Sequence, residues 1–218
     1  MEAALELVGE GPGAALDAGM GPGRLLSELA LRGWDVSGVD ASEEMVEVAR
    51  RRIPEAASRL VQSLIESLPF PEGSFDVVIA TGVLEYSELE RSLPELLRVL
   101  RSGGRAVVSY PNPANLYGKW KTRVWYRVVN AAKRLGGRPA LSFPQGSGAV
   151  GPRAFEDLLV AAGLHPERRV FTSYLAVPSP LDELLPGLDE RIGRRLEGRG
   201  ARVRNRFGSQ VVFEARKL

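Results

Sequence analysis

The sequence predicts an α/β fold in which a mostly parallel sheet carries helices on both faces. Apolar segments alternate along the chain with segments of helical periodicity, which is the pattern of strands joined by crossover helices. Residues 75–80 form a continuous apolar run, typical of a strand that is buried on both faces. A glycine-rich turn at residues 19–23 separates the first apolar segment from the first helical one. In such sheets ligands bind at the carboxyl ends of the strands.

The elements of the first half follow from periodicity and capping. Residues 1–8 predict a helix, 14–18 the first strand, 24–32 a helix, and 34–39 the second strand, which ends at Asp40. Ser42 followed by two glutamates marks a helix start, and this helix extends to about residue 52, just before Pro54.

The later elements continue the alternation. Residues 60–64 predict the third strand, 75–80 the fourth, 91–100 a helix closed by Gly103 and Gly104, and 105–110 the fifth strand. A helix over 152–162 and a final strand over 210–215 complete the pattern. Two segments stand outside it, residues 111–151 and 178–206. We therefore predict a single domain, 1–218, with these two segments inserted as a cap.

Composition excludes several classes of protein. The 218 residues, 44% of them hydrophobic, suffice for one domain with a substantial core. The chain has no cysteine, which excludes disulfides, thiolate nucleophiles and cysteine-ligated metals. No apolar run approaches the roughly 20 residues that span a bilayer, and the first residues lack a signal-like pattern, so we predict a cytoplasmic protein. No acidic or histidine cluster has metal-ligand spacing, so we predict no metal.

The glycine turn is the most informative motif. Residues 15–23 read ALDAGMGPG, and the acid Asp40 follows at the end of the next predicted strand. Glycines allow positive φ and a close approach of the backbone to a ligand. An acid at Asp17, two residues before the first glycine, would repel a pyrophosphate but suits a ligand that carries a positive ammonium or sulfonium. The turn therefore predicts a site for S-adenosylmethionine (SAM), with Asp40 accepting hydrogen bonds from the ribose.

Further segments carry a family resemblance. Residues 67–79 read SLPFPEGSFDVVI, residues 81–86 read TGVLEY, and residues 101–109 read RSGGRAVVS. Over residues 8–112, and weakly over 152–175 and 209–216, the chain resembles class I SAM-dependent methyltransferases of the small-molecule group that includes the ubiquinone-pathway enzymes. The resemblance implies a Rossmann-like seven-stranded sheet, mostly parallel with an antiparallel last strand. It also implies a sixth strand near 168–173 and a helical cap inserted after the fifth strand.

The resemblance implies roles for named residues of the cofactor site. Gly19, Gly21 and Gly23 would wrap the methionine part of SAM, where Asp17 would act through water or on the ammonium. Leu64 stands where relatives carry an aspartate that accepts from the adenine amine, a departure that Ser63 would only partly offset. The remaining implied cofactor-binding residues are Asp40 at the ribose, Ala41 and Met45 near the adenine, Ile65 through its backbone amide, and Thr81 after the fourth strand.

The acceptor side is less constrained by motifs. Glu85 and Tyr86, just after the fourth strand, are the best candidates for acid–base catalysis, although Glu85 fits a solvent-facing helix start equally well. The single histidine, His165, is predicted to lie in a turn before the sixth strand and not to be catalytic. The predicted substrate-binding residues are Tyr110, Asn112, Tyr117 and Trp120.

Charge is unevenly distributed along the chain. Residues 96–155 carry eleven basic residues and no acid, while residues 1–95 are strongly acidic. Within 115–135, Leu116, Trp120 and Val124 continue at helical spacing beside a row formed by Lys119, Arg123 and Arg127. Such a helix suits contact with an anionic membrane at the inner surface, or equally a lid over the active site.

We therefore predict SAM-dependent methyl transfer to a small, apolar or amphiphilic acceptor, with oxygen favoured as the methylated atom. One alternative is an RNA methyltransferase that uses the basic segment 96–155 for phosphate contacts, although no RNA-binding module is recognisable. The other alternative is a non-catalytic SAM-binding protein, which the departure at Leu64 keeps open.

Overall fold

The computed structural model of this chain describes residues 1–113, 150–174 and 208–218. The chain divides into two compact units. The first comprises Met1–Tyr110, Arg153–Val170 and Val212–Leu218, and the second comprises Pro111–Pro152 and Phe171–Val211. The prediction of one domain with inserted cap segments at 111–151 and 178–206 concerns the organisation of the whole chain and stays a prediction.

Within the described ranges, seven strands form one mixed sheet in the order β3-β2-β1-β4-β5-β7-β6. The pairs β1–β2, β1–β4, β2–β3 and β4–β5 are parallel, and the last strands are antiparallel. This confirms the predicted fold class. The strands are β1 (Ala14–Ala18), β2 (Asp35–Asp40), β3 (Leu60–Gln62), β4 (Phe75–Ala80), β5 (Leu100–Pro111), β6 (Leu164–Tyr174) and β7 (Gly208–Lys217).

The helices of the first unit lie close to their predicted positions. In α3, the Ser42 side chain accepts a hydrogen bond of 3.3 Å from the N–H of Met45, as expected of an N-cap. Two short 3₁₀ helices, Pro54–Arg59 and Leu84–Tyr86, follow α3 and β4. The α-helices are α1 (Glu2–Val8), α2 (Arg24–Leu31), α3 (Glu43–Arg52), α4 (Leu89–Val99) and α5 (Pro152–Ala161).

The core of the first unit is built on the central strands. Leu16 of β1 and Val78 of β4 are completely buried, because both strands have neighbours on each side. Apolar residues of α1, α2 and α3 form one contiguous cluster with these strands. Elsewhere in this unit, the Phe155 ring stacks on that of Tyr110 at a centroid distance of 4.3 Å and contacts Phe213 at 5.4 Å. These ring contacts join β5, α5 and β7 in the core.

Several predicted boundaries differ from the structure. Gly103 and Gly104 do not close α4, because the helix ends at Val99 and Leu100 is already extended and pairs with Phe75. The third strand ends at Gln62 rather than at residue 64, although the N–H of Ser63 still donates to the Asp40 carbonyl. As the terminal strand of the sheet, β3 pairs only with β2, so less hydrogen bonding extends it. His165 lies within β6 and not in the preceding turn.

Candidate cofactor-binding site

A cleft with a volume of about 160 Å³ lies at the carboxyl ends of the strands of the first unit. It forms there because β1, β2 and β3 end nearly level: Ala18 pairs with Val39, and Asp40 pairs with Gln62. The loops that leave these strands and β4 therefore meet at one edge of the sheet. The residues that line the cleft are Gly19, Asp40, Ala41, Ser63, Leu64, Ile65, Glu66, Val83, Tyr86 and Ser87.

The glycine turn follows β1 and is held against β2. The N–H groups of Gly19 and Met20 donate to the Val39 carbonyl at 2.8 and 2.9 Å. Gly19 has a φ of +85°, and a Cβ built on it would lie 2.7 Å from the Cβ of Val83. Residue 19 must therefore be glycine for two reasons: its backbone has a positive φ, and the loop that follows β4 approaches it closely.

Asp40 joins the turn to the start of α3. Its Oδ2 accepts a hydrogen bond of 2.8 Å from the N–H of Gly21, and its Oδ1 accepts one of 2.9 Å from the N–H of Ser42. An ionised carboxylate offers about four acceptor positions, so each oxygen keeps capacity for a further donor. The half-buried carboxylate is thus fixed in orientation and still able to bind hydroxyl groups from the cleft.

Asp17 presents a different electrostatic situation. Its side chain is only 2% exposed, and its Oδ1 is buried without a hydrogen-bond partner in the described part of the chain. Burial, together with the smaller effect of the neighbouring Asp40 charge, raises the pKa of Asp17 to about 7. Asp17 does not line the cleft itself, but it lies two positions before Gly19, which is a lining residue.

Glu85 is the second buried acid with an unmet acceptor. It lies in the short helix Leu84–Tyr86, is half-buried, and its Oε2 has no hydrogen-bond partner among the described residues. Burial raises the pKa of Glu85, against the opposing effect of its own backbone hydrogen bond. The next residue, Tyr86, is 74% exposed and lines the cleft. Glu85 itself is not a lining residue of the cleft.

The far side of the cleft is formed by the loop after β3. Leu64 is 60% exposed on the cleft, whereas Ile65 is buried. The hydroxyl of Ser63 donates to the Ser67 carbonyl at 2.7 Å, which commits its hydrogen to the loop. Glu66 accepts a hydrogen bond of 2.9 Å from the N–H of Glu88 through its Oε1. This bond ties the loop after β3 to the start of α4.

Several predicted residues lie elsewhere. Gly23 is the N-cap of α2 at a φ of +74°, and Met45 is half-buried on α3; neither lines the cleft, nor do Gly21 and Thr81. Tyr110 is buried in the first unit against Phe155. Asn112 belongs to the second unit, where its side-chain amide donates to the Gly208 carbonyl at 2.8 Å. Tyr117 and Trp120 lie outside the described residues.

The cleft also contains residues that sequence reasoning missed, namely Glu66, Val83 and Ser87. Val83 and Ser87 flank the predicted pair Glu85 and Tyr86, so their position in the sequence just after β4 could have identified them as site residues. Glu66 has no motif, and only its position two residues after Leu64 connects it with the site.

Among residues 1–113, 150–174 and 208–218, no group of three or more metal-ligating side chains is present. No helix in these ranges is long and apolar enough to span a membrane.

Comparison with known proteins decides the family. The family model described as "Methyltransferase domain" matches residues 16–108, which include the end of β1, the glycine turn, Asp40 and β4. The demethylmenaquinone methyltransferase of Thermus thermophilus is 34% identical over 165 residues, which cover 70% of this chain and 74% of that protein. The chain belongs to the SAM-dependent methyltransferases. The predicted family resemblance and the predicted cofactor, SAM, are thereby confirmed at the level of the family.

Other relatives of this methyltransferase match over shorter stretches. The biotin biosynthesis bifunctional protein BioHC of Cellvibrio japonicus is 34% identical over 129 residues, 58% of this chain but 25% of that protein. For the first curated relatives, the match therefore spans between 25% and 54% of their length. Among solved structures, geranyl diphosphate C-methyltransferase of Streptomyces coelicolor, in complex with S-adenosylhomocysteine, has a TM-score of 0.64 at 19% identity. That match covers 100% of this chain and 78% of that one, and it supports the fold.

The residues present fit the family's cofactor. Asp17 offers an unmet acceptor beside the glycine turn, which suits a positively charged group. Asp40 retains acceptor capacity on the cleft, and Gly19 leaves no side chain between the turn and Val83.

Proposed function

We propose that this methyltransferase domain transfers the methyl group of SAM to a small, apolar or amphiphilic acceptor, with oxygen favoured as the methylated atom. The observation that carries this proposal is the unmet, buried Oε2 of Glu85 on the loop after β4, whose neighbour Tyr86 lines the cleft. A buried carboxylate beside such a cleft is suited to proton transfer. The acceptor would leave as the methylated product, with S-adenosylhomocysteine as the second product.

The chain's contribution to cofactor binding rests on Asp17, Asp40 and the glycine turn. Asp40 would bind the ribose hydroxyls with the acceptor capacity that Gly21 and Ser42 leave on its two oxygens. When bound, SAM supplies an activated methyl group on a positively charged sulfonium, so positioning the acceptor in line accounts for much of the rate. The negative side chains Asp40 and Glu66 on the cleft favour a ligand with positive charge.

Glu85 would act as the general base. Its Oε2 would accept the proton of the acceptor hydroxyl while the acceptor oxygen forms its new bond to the methyl carbon and the carbon–sulfur bond breaks. Since burial raises the pKa of Glu85, the carboxylate is a stronger base than an exposed glutamate. Tyr86, largely exposed on the cleft, would contact the acceptor with its ring or its hydroxyl.

Two observations support an apolar or amphiphilic acceptor. Tyr86 exposes a large aromatic side chain on the cleft. The name of the Thermus thermophilus relative says that it acts on demethylmenaquinone. We therefore extend the proposal to an acceptor that combines an apolar body with an ionisable group.

The inserted segments complete the proposal. The family model ends at residue 108, and the described helices and strands resume with α5 at Pro152, so segments 111–151 and 178–206 would cap the acceptor side of a single domain. Tyr117 and Trp120 would belong to this cap, together with Tyr110 and Asn112 at its base. The basic row of 115–135 would also contact an anionic membrane at its cytoplasmic face. Sedimentation with anionic vesicles, lost in Trp120→Glu, tests that contact.

The test of the function is transfer of a labelled methyl group. Purified protein with methyl-labelled SAM is incubated with a panel of apolar phenols, amines and carbon acids, and with total RNA. We expect label in an apolar hydroxyl-bearing acceptor and none in RNA. Labelling of RNA that falls steeply with salt would instead support nucleic acid as substrate. Tight binding of S-adenosylhomocysteine without transfer to any acceptor pool would overturn the catalytic proposal.

A further inference from the structure

The acids at the ends of β1 and β2 differ sharply in how the protein satisfies them. Both oxygens of Asp40 accept backbone N–H groups at 2.8 and 2.9 Å. Asp17 is buried, and its Oδ1 has no donor within the described residues. Two carboxyl groups of unequal environment therefore lie on either side of the glycine turn, and only one of them is stabilised as an anion by the protein itself.

Within residues 1–113, 150–174 and 208–218, no positive charge compensates that of Asp17. In the sheet it pairs with Gly38 on β2 and Ile79 on β4, which carry no charge. Asp76, the acid of β4, is bound at the other end of that strand to the Ala14 N–H and to Arg101. The charged residues on the elements packed against β1 are Asp35 and Asp40 on β2, Asp76 on β4, and Arg24 and Glu28 on α2, and among them the charge that acts on Asp17 is that of Asp40.

An ionised carboxylate in this position is costly, because burial removes water and Asp40 repels it. The protonated form is the one that the free protein favours near neutral pH, consistent with a pKa of about 7. A ligand that brings a positive charge to the turn changes this balance, because the charge pairs with ionised Asp17 and supplies the donor that Oδ1 lacks.

We propose that cofactor binding is coupled to the loss of the proton from Asp17, so that this side chain senses the positive charge of the ligand. The inference rests on the proposed function in that SAM is the ligand. Its consequence is selectivity for charge: the substrate SAM carries a sulfonium charge that the product S-adenosylhomocysteine lacks, so ionised Asp17 favours substrate over product.

The direction of the pH dependence follows from linkage. A positive ligand lowers the pKa of Asp17 in the complex, so binding releases a proton wherever the free protein still holds it. Cofactor affinity therefore rises with pH and levels off above the pKa of the free protein. For a free pKa of about 7, affinity increases by up to about fivefold between pH 6 and pH 7, and up to about 0.9 proton leaves per ligand at pH 6.

The experiment is calorimetric titration of SAM, with S-adenosylhomocysteine as the reference ligand that lacks the sulfonium charge, into the full chain at pH 6, 6.5 and 7, in pairs of buffers with different ionisation enthalpies. The slope of observed enthalpy against buffer enthalpy counts the protons released. We expect release from the wild type at pH 6 and none from Asp17→Asn. His165→Gln is the matched control, because it removes the single histidine of the chain, which is exposed. It should release protons like the wild type.

The outcomes separate this inference from the proposed function. Binding by the wild type with no proton released and no pH dependence overturns the role of Asp17 and leaves the cofactor proposal intact. Proton release that disappears in His165→Gln also overturns it. Failure of the wild type to bind S-adenosylhomocysteine at any pH overturns the cofactor proposal itself. If Asp17→Asn does not fold, the proton count of the wild type and of His165→Gln still decides.

Discussion

Asp40 Oδ2 accepts a hydrogen bond of 2.8 Å from the N–H of Gly21, so the acid that ends β2 holds the turn that leaves β1. The same carboxylate accepts the Ser42 N–H through Oδ1 and lines the cleft. One side chain thus orders the turn, precedes the N-cap of α3 and presents acceptor capacity to a ligand. Its removal affects loop order and ligand binding together.

We expect Asp40→Ala to weaken binding of S-adenosylhomocysteine by tenfold or more, about 1.4 kcal/mol. The variant loses both the acceptor for the ribose and the bond to Gly21. Calorimetric titration at pH 7.5 measures the affinity. Asp35→Ala is the control, since Asp35 is exposed at the opposite end of the same strand and pairs with Arg59 at 2.7 Å. Equal affinities in the two variants would contradict a ligand contact by Asp40.

We expect Gly19→Ala to destabilise the fold by about 2–4 kcal/mol, from strain at positive φ together with overpacking. The new Cβ would lie 2.7 Å from that of Val83. Urea unfolding measures the change. Gly82→Ala isolates the strain, because Gly82 has a φ of +69° but open space around a Cβ. The double variant Gly19→Ala, Val83→Gly, which also removes the Cβ of residue 83, should recover the part that comes from contact when it is compared with Val83→Gly alone, and no recovery would contradict the packing argument.

We expect Leu64→Asp to strengthen binding of S-adenosylhomocysteine by about tenfold, because a carboxylate there would accept from the adenine amine. Leu64 is exposed on the cleft, so the substitution does not bury a charge. The analogue in which inosine replaces adenosine lacks that amine and should gain nothing. Leu31→Asp, at an exposed position on α2, controls for the added charge. An equal gain for both nucleosides would show that Leu64 does not face the amine.

We expect Glu85→Gln to lower kcat by about 10²-fold or more, within the range for loss of a general base, while the affinity for S-adenosylhomocysteine stays unchanged. Because the pKa of Glu85 is raised by burial, the wild-type rate should increase with pH until the carboxylate is ionised and then level off. Steady-state kinetics with an acceptor from the labelling screen measure both. Glu90→Gln, exposed on α4, is the control. An unchanged kcat would show that Glu85 has a structural role and is not the general base.

We expect Glu95→Ala to destabilise the protein by about 1–2 kcal/mol at pH 7. Glu95 accepts bonds from Arg98 at 2.7 Å and from the Leu68 N–H at 2.8 Å, which fastens the segment before β4 to α4. The bond from Arg98, outweighing partial burial, lowers the pKa of Glu95. The stabilisation by ionised Glu95 is therefore complete above the pKa of a glutamate in the unfolded chain, about 4.3. It is lost as the pH falls through the lower pKa of Glu95 in the folded protein. Urea unfolding should show that the difference in the free energy of unfolding between wild type and variant is smaller at pH 3 than at pH 7.

The strands were predictable where the local pattern and the tertiary environment agree. The predicted bounds of β1 and β4 coincide with the structure, because both strands are central and their apolar runs are buried on both faces. At the end of α4 the local signal failed. Gly103 looked like a helix stop, but pairing of Leu100 with Phe75 ends the helix earlier and draws the following residues into β5.

The cleft shows the same division. Asp40, Ala41 and the loop after β3 were predicted from the motifs and line it together, whereas Glu66 was missed because its contact with the Glu88 N–H joins two loops far apart in sequence. The roles assigned to the individual site residues stay predictions until the binding and kinetic measurements are made.

The sequence by itself determined the order of strands and helices, the glycine turn, the acid at Asp40 and the family to which the chain belongs. These features depend on local patterns, which residues close along the chain express. Only the tertiary structure decided that Asp17 is buried with an unmet oxygen and that Gly21 is bound by Asp40. Burial and the absence of a donor depend on what packs around a group from other strands and helices, and no local pattern encodes that.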